Sequence, residues 1–175
     1  MTQKRANVFG LGLIGGSLGL ALISRGWHVT GCDSVGDIER QALSLGIIHQ
    51  IGVDKDAAIT FVATPVSSIA EQVIRALSET TGLVTDVGGV KAHLVEQIND
   101  PRFIGGHPMA GSELIGLAGA DAKLFEGAVW VLTPSVGISD SNFEQVAGVV
   151  TELGSEIVVL DPQRHDQLVA IVSHL

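Results

Sequence analysis

An α/β chain, with a mostly parallel sheet covered by helices on both faces, is predicted by three observations. Short β-branched runs alternate with helical patterns almost from end to end. Of the 175 residues 46% are apolar, enough for one full core and hardly more. The 22 glycines have no three-residue period and gather in GLGLIGG, VGGV and FIGGHPMAG, which marks tight backbone sites rather than collagen or a linker.

The strands expected in order are 6–9, 28–32, 59–63, 83–86, 103–104, 129–133 and 157–160. Helices are expected at 13–25, 38–45, 66–77, 91–98, 141–153 and from 162 to the end. Gly26 and Gly154 stand where a left-handed residue closes a helix. Asp161 before Pro162 puts an N-cap ahead of a proline at the first helical position. Residues 1–160 read as one domain. Residues 161–175 read as the start of a further helix, with Leu168, Ile171, Val172 and Leu175 on one face and no stop signal at Leu175.

Ten Lys and Arg against nineteen Asp and Glu give a net charge of −9, which repels phosphate backbones and anionic membranes. Nucleic acid and membrane are therefore not expected as partners. The richest apolar stretch, 11–23, is broken by glycine and serine and cannot span a bilayer. The same glycines interrupt any signal-peptide core after the Lys4–Arg5 pair. The single Cys32 permits no internal disulfide and no cysteine metal cluster, and a cytosolic setting is the default.

The first strand runs into Gly10-Leu11-Gly12-Leu13-Ile14-Gly15, and Leu13 and Ile14 open a helix. Gly10 makes the tight turn, Gly12 lets the backbone approach a pyrophosphate, and Gly15 lets helix lie close on strand. Exposed N–H groups and the positive helix end hold the anion without a lysine. The second strand ends at Asp33, 18 residues beyond Gly15, where a ribose diol is gripped. A Rossmann-type dinucleotide site follows, with NAD favoured because Asp33 repels the 2′-phosphate of NADP. The competing reading is a glycine-rich turn beside a solvated acid.

Three further clusters fall where strands end, the edge at which open α/β sheets bind ligands. Thr64, Pro65 and Val66 are placed for the nicotinamide side, and Asp86 closes the next strand as a further cofactor candidate. Lys91 lies near a helix start, where its charge opposes the dipole and calls for an anionic partner. His107, between glycines and a proline, is the candidate base: its constrained segment lacks bulky neighbours, and an ordinary imidazole pKa suits proton transfer at neutral pH. The competing reading is a loop histidine satisfied by backbone.

The motifs GLGLIGGSLG, ATPV, TDVGGVK, FIGGHPMAGSE, LFEGAVWVLTP and HDQLVAIVSHL resemble the prephenate and arogenate dehydrogenases of tyrosine biosynthesis over nearly the whole chain. The resemblance implies NAD(P)-dependent oxidative decarboxylation: hydride leaves the carbinol carbon of a cyclohexadienyl ring, whose carboxylate departs as carbon dioxide. It implies that His107 takes the ring hydroxyl proton, that Glu113 lies near the substrate side chain, and that His174 lines the substrate pocket. Lys91 is the cation expected to meet a substrate carboxylate. His165 matches a recurring family residue without an assigned role and is expected as a surface histidine at a helix start.

Two departures stand out. Gly89 occupies the position where many family members carry a serine that hydrogen-bonds the catalytic histidine, so another group must orient His107. The family's helical domain, which forms a homodimer and supplies an arginine to the substrate, is absent. The expectation is a cofactor half that binds NAD and turns over prephenate poorly. Arogenate as substrate, a β-hydroxyacid dehydrogenase or imine reductase, and a non-catalytic NAD-binding module are the alternatives.

Overall fold

The structure is a computed structural model that describes residues 3–172. Eight strands form one sheet in the order β3-β2-β1-β4-β5-β6-β7-β8. The first half runs β1 (Arg5–Phe9), α1 (Leu13–Ile23), β2 (His28–Cys32), α2 (Gly36–Ser44) and β3 (Gln50–Ile51). Then come β4 (Ile59–Val62), α3 (Val66–Glu79), β5 (Leu83–Asp86), α4 (Ala92–Gln97) and β6 (Phe103–Pro108). β7 (Val129–Thr133), α5 (Asp140–Glu152), β8 (Glu156–Val159) and α6 (Pro162–Val172) complete it. Among the described residues, no helix is long and apolar enough to cross a membrane.

The chain enters mid-sheet at β1, winds outward through β2 and β3, then returns to β4 on the other side of β1 and winds the opposite way. That reversal opens a crevice at the carboxyl ends of β1 and β4. The register lines those ends up: Phe9 pairs with Cys32 and Val62, and Val62 with Asp86. All pairings are parallel except β6 with β7.

Alternate side chains of each strand enter different cores, as the two-residue period of a strand requires. Val8 and Phe61 join the cluster holding Leu18, Leu22, Phe125 and Trp130, while Phe9 and Val62 join Ile69, Val73 and Phe103. Each fully buried large side chain contributes about 1.5–3 kcal/mol.

The elements depart from the sequence expectation in three places. The two-residue β3 and a 3-10 turn at Leu117–Gly119 are too short to leave a periodic pattern. β6 continues four residues beyond the expected end at 104, because Gly105–Pro108 pair antiparallel with β7. His107 is thus a strand residue opposite Val131, half-buried rather than in an open loop. The third departure is α6. Its inward face carries the buried His165, while Leu168 and Ile171 of its apolar stripe are exposed. Leu175 lies outside the described residues.

Candidate active site

A cleft of ≈ 710 Å³ lies over the carboxyl ends of β1, β2 and β4. Gly10, Gly12, Leu13 and Ile14 line one wall, Asp33 the outer end, and Thr64, Pro65 and Val66 the opposite wall. Gly10 turns the chain at φ +87°, in the left-handed region where a side chain is strained. Gly15 is buried beneath the loop: a Cβ there would stand 1.8 Å from the Gly10 carbonyl oxygen. A Cβ on Gly12, by contrast, would meet no atom within 4 Å, so the space above that glycine is open to a ligand.

Asp33 is fixed by the backbone it serves. Its Oδ2 accepts from the Leu11 N–H at 2.8 Å and its Oδ1 from the Val35 N–H at 3.0 Å. Each carboxylate oxygen keeps a further lone pair for a hydroxyl donor. Thr64 Oγ1, on the facing wall, is buried without a hydrogen-bond partner among the described residues. An open glycine turn, a held carboxylate and an unpartnered hydroxyl fit a dinucleotide. Gln72 and Arg75 also line the cleft. They lie within a helical pattern whose sequence carries no binding motif, and only the docking of α3 beside β4 reveals them.

His107 does not itself line the cleft but stands beside Gly89, which does. A Cβ built on Gly89 would lie 3.5 Å from His107 Cε1 and 3.6 Å from Nε2. The other ring nitrogen, Nδ1, is 2.9 Å from His165 Nε2. His165 Nδ1 is in turn 2.7 Å from Asp166 Oδ1. Burial, then the neighbouring His165 and Lys91, push the His107 pKa down to about 4 against an opposing pull from Asp166. The imidazole is therefore neutral over a wider pH range than its ordinary value near 6.5 allows.

Lys91 does not reach toward a substrate carboxylate: it is 0% exposed and its ammonium donates to Asp86 Oδ2. Asp86 is not free for a cofactor either. It is equally buried, and its carboxylate also accepts the Gly88 N–H at 2.8 Å and the Gly106 N–H at 3.1 Å. Burial pushes the Asp86 carboxyl up and the Lys91 ammonium down, each opposed by the other's charge. His165 is 1% exposed, not a surface histidine, because Asp166 beside it draws α6 onto the start of α4. Glu113 is exposed on the segment after β6 and does not line the cleft. His174 lies outside the described residues.

Asp166, within the motif HDQLVAIVSHL, has no sequence feature that sets it apart from a solvated helix carboxylate. The Asp161–Pro162 start places residues 165 and 166 one turn into the helix, and the docking of α6 on α4 turns them inward. Asp161 Oδ1 does accept the Gln163 and Arg164 N–H groups, at 2.9 and 3.2 Å.

The family model of the nucleotide-binding domain of prephenate dehydrogenase matches residues 18–159. The chain belongs to the prephenate dehydrogenase family. Within that family it is 34% identical over 191 aligned positions to the prephenate dehydrogenase of Bacillus subtilis, covering 99% of this chain and 52% of the relative. It thus spans about half the length of that relative. Among solved structures, the arogenate dehydrogenase of Synechocystis is 32% identical with a TM-score of 0.89, covering 97% of this chain and 64% of that one. A prephenate dehydrogenase from A. aeolicus, solved with hydroxyphenyl propionate and NAD+, is 27% identical with a TM-score of 0.91, covering 99% of this chain and 65% of that one. The likeness to these two structures thus covers more of the chain than residues 18–159.

Proposed function

We propose that the chain is the NAD-binding part of a prephenate dehydrogenase and carries the base for oxidative decarboxylation of prephenate to 4-hydroxyphenylpyruvate. One observation carries this reading: His107 Nε2 borders Gly89, and Gly89 lines the nucleotide cleft. A proton acceptor thereby adjoins the edge of the dinucleotide cleft, the proximity that hydroxyl oxidation needs.

The Gly10–Gly15 turn seats the pyrophosphate on backbone N–H groups at the start of α1, and Asp33 accepts the ribose hydroxyls. Thr64 and Pro65 line the nicotinamide side. When bound, the nicotinamide supplies the hydride acceptor. Neutral His107 receives the ring hydroxyl proton at Nε2 as the carbonyl develops. Loss of carbon dioxide then makes the ring aromatic, so the protein supplies geometry and a base rather than a covalent intermediate.

NADH formation measured with prephenate and with arogenate tests the reaction and its substrate. His107→Asn should lower kcat by about 10²-fold or more, the contribution of a positioned base. An unchanged rate and pH profile would remove both the base and the assignment.

A further inference from the structure

We infer that His165 and Asp166 are positioning residues that hold His107 in the Nδ1–H tautomer, leaving Nε2 as the proton acceptor facing the cleft. The inference rests on His107 being the base. It answers what orients that ring where a glycine, Gly89, stands beside it.

The carboxylate comes first. Asp166 Oδ1 accepts the Lys91 N–H at 2.8 Å, and Oδ2 accepts the Ala92 N–H at 2.9 Å. Burial alone raises its pKa, but the Ala92 N–H, the His165 ring and the Lys91 N–H outweigh it and hold the carboxyl below the ordinary carboxylate range. Asp166 is thus ionised at neutral pH and can only accept. The same carboxylate seats α6 on α4, so His165 is delivered to a fixed place.

The proton positions follow in sequence. The nitrogen 2.7 Å from an acceptor-only oxygen must carry hydrogen, which makes His165 Nδ1 the donor to Asp166. In a neutral His165 the other nitrogen, Nε2, then has a lone pair. That lone pair faces His107 Nδ1 at 2.9 Å, so His107 Nδ1 is the donor there. His107 Nε2 is left bare at the Gly89 side. The rings cross at 76°, with centroids 5.1 Å apart, so the contact runs between nitrogens rather than between stacked faces. The remaining possibility is a doubly protonated His165 donating to both neighbours. Nitrogen-15 shifts of the two imidazoles distinguish that state from the neutral relay.

Once His107 Nε2 takes a proton, the imidazolium still donates through Nδ1 to His165, and His165 to Asp166. Neither bond has to be remade during the reaction. Aspartate beside a catalytic imidazole is known to act by fixing tautomer and orientation without taking the proton itself.

Nitrogen-15 NMR of the imidazoles in the ligand-free chain at neutral pH reads the tautomers without turnover. It therefore separates failure of this inference from failure of the proposed reaction. His107 is expected as Nδ1–H and His165 also as Nδ1–H. Asp166→Ala removes the acceptor of the His165 Nδ1–H, so neither His165 nor His107 is then held in the Nδ1–H form. If that variant does not fold, His165→Phe removes the acceptor alone and should release His107 from the Nδ1–H form. Where turnover is measurable, Asp166→Ala should lower kcat by about 10²-fold, the size of a lost base, with the affinity for NAD unchanged. Nε2–H on His107 in the parent, a doubly protonated His165 there, or an Nδ1–H His107 that persists in both variants would overturn the inference.

Discussion

Lys91 and Asp86 meet as an ion pair with both side chains fully buried beneath the strand that carries His107. The Gly106 N–H donates to Asp86 at 3.1 Å, so the pair is tied directly to the residue before His107. Its place is structural: it anchors β6 to the end of β5. Removing one partner leaves an uncompensated buried charge. Lys91→Met should therefore destabilise the fold by about 3–5 kcal/mol, read from urea unfolding. A lysine serving as a substrate clamp would instead leave stability intact and raise KM alone.

Gly12 and Gly15 stand three positions apart in one loop, yet they should fail differently. Gly12→Ala meets open space at an ordinary φ of −76°, so the fold should survive while the methyl group obstructs the nucleotide. We expect at least a tenfold loss of NAD affinity, about 1.4 kcal/mol, with an unchanged melting temperature. Gly15→Ala puts a Cβ 1.8 Å from the Gly10 carbonyl oxygen and should lower the melting temperature sharply. Equal effects of the two variants on stability would contradict this division.

The His107 pKa of about 4 has a consequence for stability. Between about 4 and the ordinary 6.5, the unfolded chain binds a proton at this residue that the folded chain does not. Stability therefore rises with pH across that window and is lost as pH falls through it. His165, Lys91 and Asp166 all act on the ring, so the window belongs to the cluster rather than to an isolated imidazole. Unfolding midpoints measured across this range should slope upward with pH, and His107→Gln should flatten that slope. A parent slope of the opposite sign would refute the depressed value.

The alternation of strands and helices, the glycine loop and the acid at the end of β2 were legible because each leaves a local pattern. The histidine network was not, because its members come from segments 58 residues apart and meet only when α6 docks. On α6 the sequence drew attention to the apolar stripe of Leu168 and Ile171, while the fold turns the polar side inward, where Asp166 finds two backbone donors. The same kind of gap misplaced Lys91. A lysine near a helix start does seek an anion, but its sequence could not show that Asp86, five residues earlier, already supplies one inside the core.

We propose that this chain binds NAD in the cleft between the Gly10–Gly15 turn and Thr64, with Asp33 reading the ribose. Calorimetric titration with NAD and with NADP tests it most directly. NAD should bind at least tenfold more tightly, about 1.4 kcal/mol, and Asp33→Ser combined with Ser34→Arg should relax or reverse the preference. Equal affinity for the two cofactors in the parent chain, or no uptake of NAD at all, would contradict it.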